Sequence, residues 1–171
     1  MTIITQNLKL IACDTQILAQ AIKGDVHLAE VLQVDTVPEW TEFGVEALRY
    51  AFEQLSSGIQ QAGWWTYLPI HTADNSLIGS GGFKGPPAEL GEVEIGYEIA
   101  PLYRGKGLAT EMAAGLIAHA FSYPQVKSVT AHTLAEVNSS VAILRKLGFI
   151  QVEEFCVPDA GVVWKWALIK V

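Results

Sequence analysis

Between Glu92 and Phe121 the chain changes character twice, and that succession limits what it can fold into more than any other feature. Glu92 to Ile99 alternates polar with apolar residues, the period-two pattern of a half-buried strand, and Pro101 closes it. Leu108 to Phe121 puts Leu108, Met112, Leu116, Ile117, Ala120 and Phe121 on one face at helical spacing. Between them lies Arg104-Gly105-Lys106-Gly107. Two glycines in four residues allow positive φ and a close approach to a ligand. The first amides of the following helix have no internal partners and, with the helix dipole, favour an anion. Arg104 and Lys106 add two positive charges. Strand, basic glycine loop and helix together are expected to cradle a pyrophosphate.

The rest of the chain supplies the frame. Leu8 to Cys13 reads as a strand, and Asp14 as the cap of a helix that ends at Gly24. A second helix is expected after Pro38, with Trp40, Phe43, Leu48, Ala51, Phe52 and Leu55 at helical spacing up to Ser56-Ser57-Gly58. Trp64–His71 and Ser76–Phe83 read as strands joined at Asp74-Asn75. After the central succession come a strand at Val126–Leu134, a short helix at Ser139–Leu147, and a hairpin of Phe149–Cys156 and Val162–Ile169. The order β-α-α-β-β-β-α-β-α-β-β implies an α+β, mixed α/β architecture in one domain over residues 1–171. Its sheet is expected to be mixed, mostly antiparallel and seven-stranded, with about four flanking helices.

Composition excludes more than it selects. A net charge of −7 argues against nucleic acid as a partner and suits a cationic or amine-bearing one. Apolar runs are too short to span a membrane, and the N-terminus has no secretion-signal pattern. Cys13 and Cys156 lack ligand-like spacing and read as buried thiols of a reducing, cytoplasmic protein. The histidines lack metal-ligand spacing too, so no metal is expected. His71 and His119 read as core-edge or surface residues. His132 is the histidine to watch. Trp64/Trp65 and Trp164/Trp166 read as packing pairs.

Neither Gly-x-x-x-x-Gly-Lys-Ser/Thr nor Gly-x-Gly-x-x-Gly occurs, so two familiar nucleotide loops are excluded. What fits is Arg-x-x-Gly-x-Ala at Arg104, Gly107 and Ala109. It resembles the coenzyme-A-binding motif of the GNAT superfamily of N-acetyltransferases. The run Val93–Arg104 resembles the family's fourth strand and loop entry. Asn138–Phe149, ending Lys146-Leu147-Gly148-Phe149, resembles its second signature, and Ile78–Phe83 the end of its third strand. The likeness is firm from about Leu77 to Phe149 and nearest in flavour to the ribosomal-protein N-terminal acetyltransferases.

The resemblance implies a GNAT fold and transfer of acetyl from acetyl-CoA to a primary amine of a small molecule or a protein N-terminus. Amides of Arg104, Gly105, Lys106, Gly107, Leu108 and Ala109 would hold the pyrophosphate. Backbone near Ile99 and Ala100 would bond the pantetheine arm along the splayed fourth strand, whose bulge the sequence does not locate, with Asn138 opposite. Glu94 stands where some members place a general base, although Glu89, Glu92 and Glu98 crowd the same stretch. Repulsion and burial there would raise one pKa toward neutrality. Leu144 occupies the position of the family's usual acid, a tyrosine. Ser140 is the substitute to consider, its alternative role being a helix cap. A non-catalytic acyl-CoA-binding module that kept the cradle and lost the acid is the other reading. The acceptor carries no motif, and pairing through the last strands is a route to a homodimer.

Overall fold

A computed structural model describes residues 1–59 and 61–171. Its strands are β1 (Thr2–Ile4), β2 (Leu8–Ala12), β3 (Asp35–Thr36), β4 (Thr66–His71), β5 (Ser76–Leu77), β6 (Gly79–Phe83), β7 (Glu92–Ile99), β8 (Ser128–Leu134), β9 (Ile150–Val157) and β10 (Gly161–Ile169). They form one sheet in the order β1-β2-β4-β6-β7-β8-β10-β9, with β3 and β5 paired beside β4. The helices are α1 (Thr15–Lys23), α2 (Asp25–Leu32), α3 (Gly44–Ser56), α4 (Leu108–Phe121) and α5 (Ser139–Lys146). Pairing is antiparallel except for β7 with β8 and β3 with β5.

The seven expected strands are present. The described residues add β1, β3 and β5, and five helices replace about four. Each difference has a local cause. Gly24, with φ 136°, ends α1 and at once begins α2, so one residue is both stop and start. The strand expected over Ser76–Phe83 breaks at Ile78. Ile70 pairs with Leu77 but Tyr67 with Gly81, a shift of one in register. Trp40 does not open a helix. It is buried ahead of α3, its Nε1 donating to Asp25 Oδ1 at 2.9 Å, a contact that tethers the chain before α3 to α2.

Helix α4 buries Leu108, Met112, Ala113, Gly115, Leu116, Ile117 and Ala120, an apolar surface wider than a single stripe. It packs against β7, and a Cβ on Gly115 would lie 3.0 Å from Thr5 Cγ2 and 3.3 Å from Leu10 Cδ1. The Glu111 carboxylate accepts from the Thr5 hydroxyl at 2.5 Å and from Asn7 N at 2.6 Å. These bonds tie the start of α4 to the segment between β1 and β2. The glycine loop ahead of α4 is therefore carried on a helix anchored on two sides.

Candidate active site

The chain opens where β7 leaves β8. These parallel strands pair only at Glu92–Ser128, Val93–Val129 and Glu94–Thr130, and then diverge. On the other side, β7 keeps a continuous register with β6 from Ile95–Phe83 to Ile99–Gly79. The splay thus comes without a register shift in that pairing. Lys84 N donates to Glu94 O at 3.0 Å and Ala100 N to Ile78 O at 2.7 Å. The alternation of the ladder points the backbone groups of Glu94, Gly96, Glu98 and Ala100 toward β6. Those of Ile95, Tyr97 and Ile99 turn toward the gap.

This corrects one expectation. Ala100 spends its amide inside the sheet, and the Ile99 carbonyl accepts from Arg104 Nε at 2.8 Å. Tyr97, with the Ile95 carbonyl, supplies more of the gap's free backbone than the two residues named from sequence, since the Ile95 amide closes the Glu94–Thr130 pair.

The loop follows directly. Gly105 and Gly107 have φ of 75° and 76°, conformations that a β-carbon disfavours, and Gly107 caps α4. The first intrahelical bond is Glu111 N to Gly107 O at 3.0 Å, so the amides of Leu108, Ala109 and Thr110 precede the helical ladder. A row of free amides on a dipole's positive end fits a pyrophosphate. The side-chain charges are arranged otherwise than expected. Arg104 turns away, its NH2 group donating to Glu42 Oε1 at 2.9 Å, and Lys106 Nζ sits 5.0 Å above the Tyr103 ring.

The acids separate once partners are known. Glu92 pairs with Lys165 at 3.0 Å. Glu94 Oε1 accepts from Lys84 Nζ and from His132 Nδ1, the latter at 2.8 Å. Burial penalises its charge, but Lys84 and then His132 outweigh that and hold the carboxyl below the ordinary glutamate range. The expected rise toward neutrality therefore fails at Glu94. It occurs in direction at Glu98, where burial is the leading cause. Glu98 accepts from Glu42 N at 2.7 Å and Phe43 N at 3.2 Å, which pins the chain just ahead of α3.

A cleft of about 1330 Å³ joins these parts. Gly105, Gly107, Leu108 and Ala109 border it, as do Phe43, Tyr50 and Trp65, together with Gly96 and His132 on the strands. Tyr97 also borders it, its phenol pushed up to about 12 by burial and so protonated at neutral pH. Ser140 borders the cleft in the first turn of α5 but does not cap it. Asn138 does, its Oδ1 accepting from Val141 N at 3.1 Å. Leu144 is fully buried, so no hydroxyl stands at that position. Cys156 is exposed, contrary to the expectation of a buried thiol, whereas Cys13 is buried and its thiol pushed far up by desolvation, with Asp14 adding to the shift. His119 packs in an aromatic cluster with Trp64, Tyr67, Phe83 and Tyr123. Tyr50 carries no signal in the sequence, and Phe43 and Trp65 read there as packing residues and Glu98 as one of several crowded acids, because nothing in their spacing shows that distant segments meet.

A model of the acetyltransferase (GNAT) domain matches residues 17–150. The chain belongs to the GNAT acetyltransferase family. The uncharacterized N-acetyltransferase YjdG of Bacillus subtilis (strain 168) is 32% identical over 147 residues, 85% of this chain and 88% of that protein. Solved GNAT structures share the fold at lower identity. RimL, a ribosomal L7/L12 alpha-N-protein acetyltransferase in complex with coenzyme A, matches with a TM-score of 0.68 at 17% identity, over 99% of this chain and 98% of that one. A chimera of the spermidine N-acetyltransferase SpeG from Vibrio cholerae with hSSAT matches with a TM-score of 0.66 at 16% identity, over 96% of each. This GNAT chain is an N-acetyltransferase, and acetyl-CoA is the donor its family uses. Among the described residues no helix is long and apolar enough to cross a membrane, and no cluster of ligand side chains could hold a metal.

Proposed function

We propose that this enzyme acetylates the primary amine of a small molecule or a protein N-terminus by direct attack on the thioester of acetyl-CoA, and that residues 1–171 act as one domain. The observation that carries the reading is the three-residue pairing of β7 with β8, which leaves free strand backbone beside the unpartnered amides at the start of α4. In this reading, amides from Gly105 through Ala109, including Lys106, Gly107 and Leu108, hold the pyrophosphate. Arg104 braces that loop through Ile99 and Glu42. The pantetheine arm lies along β7 toward Ile99 and Ala100, with Asn138 across the gap.

The chemistry follows from charge. The amine must attack as a neutral nucleophile, so its nitrogen has to shed a proton, and Glu94 supplies the nearby negative charge that favours this. The oxygen that becomes an oxyanion meets the outward-facing amide of Tyr97. Ser140, in place of the absent tyrosine, is positioned to offer a hydrogen bond to the departing thiolate. RimL is a protein alpha-N-acetyltransferase and SpeG a spermidine N-acetyltransferase, and their acceptors have the amine in common.

Purified protein mixed with acetyl-CoA and a panel of small amines, spermidine and N-terminal peptides should release free thiol with one acceptor class. Acetyl-CoA binding without thiol release across the whole panel would sink the amine reading and favour a non-catalytic acyl-CoA-binding module.

A further inference from the structure

We propose that His132 is the group that takes the proton from the attacking amine, and that Glu94 is the residue that positions it. This rests on the reading above and deepens it.

Glu94 is poorly placed to touch substrate. It does not border the cleft, and its Oε1 already accepts from both Lys84 and His132. His132 does border the cleft, with a side chain 26% exposed. It lies two residues beyond Thr130, the last β8 residue paired with β7, and so at the point where the strands part. The edge of its ring meets Phe155 with centroids 5.6 Å apart and planes at 77°, which restrains rotation.

The 2.8 Å bond settles the tautomer. An ionised carboxylate only accepts, so the proton between them belongs to His132 Nδ1. In the neutral imidazole, Nε2 then carries the free lone pair. Among the described residues Nε2 has no protein partner, and it is not among the buried atoms left unpaired, so solvent and substrate can reach it. The charged groups around the ring are themselves matched. Lys84 bonds Glu94, and Lys165, opposite His132 in the β8–β10 register, bonds Glu92 at 3.0 Å and faces Glu153 across β9. The ring is a base held by an acid, in a surround of paired charges.

The lone pair of the neutral amine forms the N–C bond to the thioester carbonyl carbon, and Nε2 accepts the N–H proton as that bond forms. Collapse of the tetrahedral intermediate breaks the C–S bond, and its electron pair leaves on sulfur. The imidazolium returns its proton to water, and the thiolate takes one from water.

Two measurements decide the matter. Nitrogen-15 NMR of the wild-type protein should show His132 as the Nδ1–H tautomer, and an Nε2–H tautomer would overturn the proposal whatever the acceptor. In steady-state assays with the best acceptor of the panel, His132→Gln should lower kcat by about 100-fold or more and leave the KM for acetyl-CoA within about twofold. It should also flatten the rising limb of the pH profile, and added imidazole should restore part of the activity of His132→Ala. Wild-type kcat and pH profile in His132→Gln would overturn the assignment. Failure of the underlying amine reading looks different: the wild-type protein itself would release no thiol.

Discussion

The two ends of the cleft are built in opposite ways. In the proposed reading the donor end is backbone: two glycines in left-handed conformation, the unpaired amides that open α4, and the strand groups of Tyr97 freed by the splay. The proposed acceptor wall is side chains drawn from far apart, with Tyr50 from α3, Phe43 just before it, Trp65 beside β4, Lys84 after β6 and His132 on β8. A backbone site tolerates almost any side chain that permits its conformation. A side-chain site depends on every tether that brings its members together. The donor end should therefore be sensitive at few positions and the acceptor end at many.

The largest expected effect tests the donor end. Gly107→Glu forces a β-carbon into a left-handed conformation and puts a carboxylate where an anion should sit. Its acetyl-CoA affinity should fall by about 100-fold or more, since strain and like charge act together. Calorimetry measures this directly, and near-normal affinity would break the claim that the amides make the site.

Glu98→Ala tests the other end. It removes the carboxylate that holds Glu42 N and Phe43 N, so the wall from Phe43 to Tyr50 loses an anchor. The acceptor KM should rise about tenfold, the order expected for losing hydrogen bonds to a charged group. The acetyl-CoA affinity should change less, since only the Glu42 bond to Arg104 links this anchor to the glycine loop. An equal change in both would show that the two ends are not separable.

The smallest effect is in the frame. Glu111→Gln weakens the bonds to Thr5 and Asn7, a loss of about 1 kcal/mol, or about 3 °C in Tm, with turnover unchanged. Burial raises the Glu111 carboxyl, but those bonds together lower it below the ordinary value of 4.5. A depressed carboxyl contributes its stability above the unfolded value, and that contribution is lost as pH falls through the folded one. Thermal melts should accordingly separate the two proteins near neutral pH and bring them together in acid.

Sequence reading reached the donor end because its information is local. Arg104-Gly105-Lys106-Gly107 lies next to the helix it opens, and Leu108–Phe121 was legible to the residue because its apolar positions follow one helical period. It missed α2, since Gly24 was taken as an end alone, and it split no strand at Ile78, where only the partner strand reveals the shift.

What the sequence determined by itself was the basic glycine loop that opens α4, the order of the main elements and, through Asn138–Phe149, the family likeness. All three rest on neighbours along the chain. The tertiary structure alone decided which of several crowded acids meets His132, that Arg104 turns to Glu42, and that Glu98 holds the chain ahead of α3. Those are contacts between residues tens of positions apart. Their geometry depends on how strands register and splay, and no local period or spacing encodes it.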